Sequence, residues 1–256
     1  HRAIRERNIR GPKGEPVRLE MFCHGALCMA VSGKCYLSLH EMNASANRGA
    51  CNQICRRSYT VRDRETNHEL DVDNAYIMSP KDLCTLPFLD KLLGAGVEVL
   101  KIEGRGRSPE YTKVTVAVYR EAVDAIVGGS FTEERIQGWM ERLRSVYNRD
   151  FWDGYYLGRK TGEWTRKYGS QATQTKLYVG QVTNFFSKIG VAEIRMETHD
   201  LNVGDKMMII GPTTGVYEDI VTEIRVDLKS VPQTVKGEAC SIPVKSTIRR
   251  GDKVYK

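Results

Sequence analysis

Residues 20–38 read EMFCHGALCMAVSGKCYLS, and residues 48–56 read RGACNQICR. Within a 28-residue window they hold four cysteines with the spacing C-x6-C-x15-C-x3-C, namely Cys28, Cys35, Cys51 and Cys55. Short spacings let four thiolates converge at a low cost in chain entropy, and a metal centre or iron–sulfur cluster needs such convergence. The spacing therefore predicts that residues 23–64 form a Cys-rich insertion shaped by a bound inorganic group.

Four thiolates suit either a tetrahedral zinc ion or a [4Fe–4S] cluster. Structural zinc sites favour C-x2-4-C pairs, and only Cys51 and Cys55 have that form. The spacing favours a cluster, with zinc and plain buried cysteines as the alternatives. Cys84 is a reserve ligand in place of Cys55, because a helix N-terminus predicted there would lower the pKa of its thiol. Cys23 and Cys240 are expected to be apolar fillers.

The composition indicates a globular chain without a membrane partner. It has 256 residues, 41% of them apolar, and no apolar run near the ~20 residues of a membrane span. The arginines near the start are not followed by the apolar core of a secretory signal, so we expect a cytoplasmic protein. Seven cysteines, an odd number, also argue against a disulfide framework.

Positive charge accompanies the cysteines. The net charge is +7, and residues 1–70 hold 12 Lys and Arg against 7 Asp and Glu. Five arginines flank or follow the second cysteine pair: Arg48, Arg56, Arg57, Arg62 and Arg64. They would attract RNA or an anionic small molecule, whereas a solvated basic loop is the alternative.

Residues 1–172 are interpreted as an α/β domain that begins with a linker over residues 1–16. Strands are predicted at 17–22, 75–78 and 97–102, and helices at 79–93, 109–128 and 132–147. The strand–helix–strand order over residues 75–102 predicts a βαβ unit, with parallel strands and a right-handed crossover.

Residues 173–256 change to short alternating runs separated by Gly and Asp turns. Six strands are predicted, at 178–182, 191–196, 206–210, 220–226, 239–242 and 253–255. This pattern favours a small antiparallel β-barrel of the kind that holds partners such as nucleic acid.

Several charged residues are candidates for chemistry. Lys101, Glu103 and Arg105 follow a buried strand, at the end where α/β folds place their sites. Glu20 and His24 flank the first ligand strand. A cysteine peptidase would pair Cys23 or Cys28 with His24 or His40, but neither a G-x-S-x-G nor an H-E-x-x-H motif accompanies them.

The segment Glu20-x-Phe22-x-x-Gly25-Ala26-Leu27-Cys28-x4-Gly33-x-Cys35-x-Leu37-Ser38 resembles the signature of peptidase family U32, the collagenase-like proteases. The segments at 48–56, 79–84 and 101–105 also resemble the family, so the likeness covers most of residues 17–160. The family name implies proteolysis. However, the members most similar to this chain are better described as iron–sulfur proteins that hydroxylate RNA. The resemblance implies that they act on a tRNA wobble uridine or a ribosomal cytidine, with prephenate-derived chemistry.

The resemblance implies that the four cysteines of the window are cluster ligands, with Cys84 replacing the last one in some branches. It also implies a TIM-like barrel followed by a β domain similar to a barrel of translation factors. Family members carry a long segment before the signature, so we expect this chain to be a fragment with a partial barrel. A missing half, or a partner chain as in a homo-oligomer, would then cover the exposed sheet edge.

The leading hypothesis is an iron–sulfur protein acting in tRNA hydroxylation. A metal-dependent or cysteine peptidase and a zinc-stapled binding module are the rivals. The candidate site residues, apart from the cysteine ligands, are Glu20, His24, Lys101, Glu103 and Arg105.

Overall fold

The computed structural model describes residues 1–30, 35–70 and 76–256. The chain divides into two compact units, residues 1–173 (unit 1) and residues 174–256 (unit 2).

In the described part of unit 1, the helices are α1 (Arg2–Glu6), α2 (Leu37–Met42), α3 (Leu89–Gly94), α4 (Pro109–Val127) and α5 (Glu133–Ser145). Short 3-10 turns occur at Ala46–Arg48, Ile54–Arg56 and Leu86–Phe88. The strands are β1 (Glu20–Ala26), β2 (Val61–Arg62), β3 (Glu69–Leu70), β4 (Asp82–Cys84), β5 (Val99–Ile102) and β6 (Phe151–Trp152).

The main sheet of unit 1 has the order β5-β1-β4-β6. Strand β1 pairs in parallel with β5 and antiparallel with β4, so that Ala26 faces Asp82 across the second pair. Strand β6 runs parallel to β4. Since β1 and β5 point the same way, their carboxyl ends lie at one edge of the sheet, and the antiparallel β4 begins at that edge.

Helices α4 and α5 cover one face of the unit and confirm the two predicted helices. Pro109 and Glu110 stand in the first turn of α4, where a missing N–H and a negative charge are both favourable. Thr132 caps α5 by accepting a hydrogen bond from the Arg135 backbone N–H. The buried side of the pair is apolar: Val118, Tyr119, Ala122, Ala125, Ile136, Trp139, Met140 and Leu143.

Some predicted elements of unit 1 are wrong. Ala75 of the predicted strand 75–78 lies outside the described residues, and residues 77–78 form a turn. The predicted helix 79–93 is replaced by β4, a 3-10 turn and the short α3, so Cys84 lies within a strand and not at a helix start. The predicted parallel βαβ unit is wrong as well, because β1 lies between β4 and β5, antiparallel to one and parallel to the other.

A TIM-like barrel is not confirmed. The described residues of unit 1 form a mixed sheet of four strands that does not close, whereas a TIM barrel needs eight parallel strands. Residues 1–16, predicted to be a linker, contain the helical turn α1.

Unit 2 is an antiparallel β structure. Its strands are β7 (Tyr178–Phe186), β8 (Val191–Met196), β9 (Lys206–Gly211), β10 (Gly215–Ile220), β11 (Ile224–Val226), β12 (Lys229–Val231), β13 (Ala239–Pro243) and β14 (Lys253–Tyr255). They form one sheet in the order β10-β9-β14-β7-β8-β13-β11-β12. The predicted strand 220–226 contains only the last residue of β10 and the whole of β11, and the rest of β10 and all of β12 were not predicted. No pairing between β10 and β12 closes the sheet within the described residues, so the predicted closed barrel is not confirmed.

Among the residues that the structure describes, no helix has the combination of length and apolar character that a membrane crossing requires.

Candidate functional site

The candidate site lies at the edge where β1 and β5 end, which we call the carboxyl edge. Leu27 and Cys28 follow β1 there, and Glu103 begins the segment after β5. The Glu103 backbone N–H donates to the His24 carbonyl at 2.8 Å, and this bond continues the parallel pairing past the end of β5. The edge therefore brings the first ligand segment beside the predicted Lys101–Arg105 segment.

Gly25 makes this close approach possible. Its φ angle is +115°, a value that residues with a side chain rarely adopt. A Cβ at this position would lie 2.5 Å from the Glu103 carbonyl oxygen. The Glu103 carboxylate accepts a hydrogen bond from the Arg105 backbone N–H at 2.7 Å. The Arg105 guanidinium reaches towards Gly49, so that it lies beside the second cysteine segment.

The four predicted ligand cysteines have free thiols at or near the surface. Cys28 and Cys51 are exposed, whereas Cys35 and Cys55 are partly buried. Burial raises the pKa of Cys55, Arg56 lowers it, and the thiols of the other three cysteines raise it again. All three therefore lie close enough to act electrostatically on Cys55, and their role as a ligand set stays a prediction.

The described side chains do not form a ready-made site for a single metal ion. No set of three or more His, Cys, Asp or Glu side chains in the described residues is arranged to hold one metal ion. A zinc ion with Zn–S bonds of ~2.3 Å would bring its four sulfurs within about 4 Å of one another. In a [4Fe–4S] cluster each thiolate binds a different iron, so the sulfurs lie farther apart. Four thiolates are a donor set that suits a [4Fe–4S] cluster as well as a zinc ion, and the preference for a cluster stays a prediction.

A buried carboxylate gathers arginines beside these thiols. Asp82 accepts two hydrogen bonds from the Arg107 guanidinium, at 3.1 and 2.9 Å, and a third from the Arg149 backbone N–H at 3.1 Å. The Asp82 and Arg107 side chains are only 1% and 4% exposed. The Arg149 guanidinium lies 3.7 Å from Asp82, and Tyr147 packs against both arginines.

Arg56 completes what we call the arginine cluster, which consists of Arg56, Arg107, Arg149 and Asp82. Burial, and then the charge of Arg149, lower the pKa of the Arg56 guanidinium, and Arg107 and Asp82 also act on it. Neither Asp82 nor Arg149 was predicted to be a site residue. Asp82 falls within the predicted helix 79–93, and nothing local in the sequence marks Arg149. The carboxylate that Arg107 binds is the internal one of Asp82.

A cleft of about 410 Å³ opens next to these groups. Its described lining residues include no acidic side chain: Cys51, Asn52, Gln53, Arg56, Arg57 and Tyr168. Gln53 has a φ angle of +52°, a strained value for a residue with a side chain, and its amide oxygen accepts from Arg149 at 2.9 Å. The Tyr168 side chain is largely exposed. The aromatic and amide lining was missed by sequence analysis, because it joins segments more than 100 residues apart.

His24 is sealed in the core. Its ring lies 5.3 to 6.0 Å from the rings of Tyr111, Tyr119 and Phe151, and its Nε2 has no hydrogen-bond partner among the described residues. Burial, followed by the charge of Arg107, lowers the pKa of His24 to about 3. A neutral, enclosed imidazole with this pKa is a poor general base near pH 7.

Lys101 and Glu20 are not placed with the thiols, unlike the Arg105 side chain, which reaches towards Gly49. Lys101 and Glu20 form an exposed ion pair of 2.9 Å, and Glu20 stands at the opposite end of β1 from Cys28. Their catalytic roles, like those of Glu103 and Arg105, stay predictions. Cys84 is buried in the core against Met140, and burial raises the pKa of its thiol to about 11. Cys55, and not Cys84, is therefore the better fourth ligand.

Comparison with known proteins gives consistent results. The model of peptidase family U32 matches residues 4–166. A protein named collagenase from Porphyromonas gingivalis is 57% identical over 256 residues, covering 100% of this chain and 62% of its own length. The tRNA hydroxylation protein P1 of Bacillus subtilis is 31% identical over 77% of this chain and 47% of its own length. A 23S rRNA 5-hydroxycytidine synthase of Escherichia coli is 43% identical over 43% of this chain and 16% of its own length. The chain thus spans less than two thirds of the length of these relatives.

Proposed function

Because the chain belongs to peptidase family U32, and because Cys28, Cys35 and Cys51 all act electrostatically on Cys55 beside a basic cleft, we propose that it is an iron–sulfur protein of RNA modification. The proposed ligands of a [4Fe–4S] cluster are Cys28, Cys35, Cys51 and Cys55. The proposed setting is the cytoplasm, and the proposed reaction is hydroxylation of an RNA base, with the tRNA wobble uridine as the first candidate. The names of the hydroxylation proteins among its relatives support this class of substrate.

The cleft is the proposed place for the RNA nucleotide. No hydrogen bond or ion pair of the Arg57 side chain is formed within the described residues, so its charge is available for a phosphate. The exposed Tyr168 ring offers a face on which a base can stack, and the Asn52 amide offers hydrogen bonds to a base edge. When bound, a [4Fe–4S] cluster would supply one-electron redox chemistry next to this cleft. An anionic co-substrate such as prephenate would meet the same positive potential.

The electrostatic influence of the three other thiols on Cys55 supports the proposal, and metal analysis tests it. The full chain is purified without oxygen, and its iron, sulfide and zinc are measured with the visible spectrum. We expect about four iron and four sulfide per chain. Cys51→Ser should lose most of both, whereas Cys240→Ser, which changes a buried thiol of unit 2, should keep them. One zinc without sulfide would favour the zinc-stapled module, and a metal-free wild-type protein would refute the cluster.

The RNA step is tested separately. In a strain from which the gene has been deleted, tRNA should lack hydroxylated uridine, and a copy encoding the whole protein should restore it. A copy with Tyr168→Ala should restore less hydroxyuridine, while its iron content stays at the wild-type level. Normal hydroxylation in the deletion strain, for both tRNA and ribosomal RNA, would refute the RNA function and leave the cluster standing.

A peptidase is the second candidate, because a relative named collagenase is 57% identical over this whole chain. The thiol next to His24 does not favour a cysteine peptidase: Cys23 is fully buried, and burial raises the pKa of its thiol to about 12. A cysteine nucleophile needs an accessible thiolate. Cleavage of gelatin by the purified protein, abolished by Cys28→Ser but not by Cys240→Ser, would favour the peptidase.

A further inference from the structure

We propose that Arg56 is a positioning residue for the four thiols: its guanidinium ties the two cysteine-bearing segments together and offsets the negative charge that they gather. This inference rests on the proposed iron–sulfur function. Arg56 follows the proposed ligand Cys55 in sequence, and its guanidinium binds the backbone next to the proposed ligand Cys28.

The hydrogen bonds of Arg56 carry the first half of the inference. Its Nη2 donates to the Leu27 carbonyl oxygen at 2.7 Å, and Leu27 directly precedes Cys28. Its Nη1 donates to the Pro80 carbonyl oxygen at 2.5 Å and to the Ser79 hydroxyl at 3.3 Å. Since Arg56 directly follows Cys55, one side chain joins the neighbour of the first ligand to the neighbour of the last. It also anchors both to the segment that enters β4.

A second link joins the middle ligands in a similar way. The buried Ser38 hydroxyl, three residues after Cys35, accepts a hydrogen bond from the Asn52 backbone N–H at 3.0 Å, and Asn52 follows Cys51. This link uses a neutral hydroxyl and brings no charge. Of the two links, Arg56 is thus the one that can act both on the geometry of the thiols and on their electrostatics.

The charges of the arginine cluster support the second part of the inference, the electrostatic role of Arg56. The arginine cluster holds three guanidinium groups against one carboxylate, so a positive excess is half-buried beside the thiols. Like charges held together in a partly desolvated place are unfavourable unless an anion lies nearby. A cluster bound by four thiolates is anionic overall, and Arg56 is the arginine that acts most directly on Cys55. A negative group at the thiols would offset this excess.

Three variants separate the effect of the Arg56 hydrogen bonds from the effect of its positive charge. Arg56→Gln removes both, whereas Arg56→Lys keeps the charge but loses the planar fork that reaches several acceptors. Arg62→Gln is the control, because it removes an exposed positive charge from the same insertion and Arg62 is not among the largest influences on Cys55. For each full-length chain, loaded anaerobically with iron and sulfide, two quantities are measured: the rate of iron loss to a chelator and the midpoint potential of the cluster.

We expect Arg56→Gln to lose iron at least fivefold faster than wild type. Its reduced cluster should be destabilised about tenfold relative to the oxidised one, a potential more negative by about 59 mV for one electron. Arg56→Lys should lose iron faster but keep a potential near wild type, and Arg62→Gln should match wild type in both. Circular dichroism of the metal-free chains checks the fold, and if Arg56→Gln does not fold, the iron loss of Arg56→Lys carries the test.

The failures are distinguishable. A wild-type chain that binds neither iron nor sulfide would refute the proposed function and this inference with it. A loaded wild type with Arg56→Gln unchanged in both measurements would overturn the inference alone. Wild-type iron loss in Arg56→Lys would overturn the positioning role, because charge would then suffice.

Discussion

At the scale of single residues, Gly25 shows how tightly the carboxyl edge is built. We expect Gly25→Ala to destabilise the protein by about 2–4 kcal/mol, because the strain of a positive φ adds to a clash with the Glu103 carbonyl. Gly138→Ala is the matched control: it lies inside α5, a Cβ there meets no atom within 4 Å, and it should stabilise by up to about 1 kcal/mol. Urea unfolding of both variants gives the comparison. A Gly25→Ala protein as stable as wild type would show that the close approach of the two segments is wrong.

His24 makes stability depend on pH. Its folded pKa of about 3 lies below the value of about 6.5 expected in the unfolded chain, so the unfolded state binds the extra proton. The stabilisation is complete above about pH 6.5 and is lost progressively as the pH falls towards 3. The charged group that acts on it is Arg107, and the polar neighbour is the Tyr119 hydroxyl, 3.5 Å from Nδ1.

His24→Phe tests this dependence. Phenylalanine fills the same aromatic surroundings without titrating, so its free energy of unfolding should fall less steeply between pH 6 and pH 4 than that of wild type. His40→Phe changes an exposed histidine and should keep the wild-type slope. Equal slopes for all three proteins would mean that His24 is protonated in the folded state.

At the scale of elements, the buried Asp82 carboxylate adds to the strand pairing of β4 by binding Arg107 and Arg149. Asp82→Asn should destabilise the protein by about 3–5 kcal/mol, because Arg107 would remain buried without its counter-charge. Asp124→Asn, in an exposed i,i+4 pair with Arg120, should cost less than about 0.5 kcal/mol. Thermal unfolding of both proteins measures the difference, and a small loss in Asp82→Asn would contradict the buried ion pair.

The same element shows where local sequence signals end. Helices α4 and α5 could be predicted because Pro109 and Thr132 are start signals followed by an apolar stripe. Ser79-Pro80 with Asp82 has the same kind of start signal, yet β4 forms there, because Asp82 is held by arginines 25 and 67 residues away. Pairing at that distance leaves no local periodicity. The thiol set could be proposed from spacing within one short stretch and stays a prediction, whereas the cleft and the arginine cluster depend on the tertiary fold.

At the scale of the whole molecule, the two units have separate cores, and this predicts separate folding. Unit 2 buries its own set of apolar side chains: Val179, Val182, Ala192, Ile194, Met196, Leu201, Met207, Ile209, Val221, Ile224, Cys240, Ile242, Val244, Ile248 and Val254. A chain of about 80 residues with such a core is large enough to fold alone. Residues 174–256, expressed alone, should therefore unfold in one cooperative transition with the circular dichroism of a β protein.

The separated chains also locate the proposed cluster. All four proposed ligands belong to unit 1, while the only cysteine of residues 174–256 is the buried Cys240. Residues 174–256 should thus bind no iron after anaerobic loading, and residues 1–173 should retain the iron and sulfide of the full chain. If the isolated residues 174–256 were unfolded, unit 2 would depend on unit 1 for its stability. In that case the iron content of the wild-type full chain would be compared with that of a full chain carrying Cys240→Ser, which leaves the proposed ligands intact.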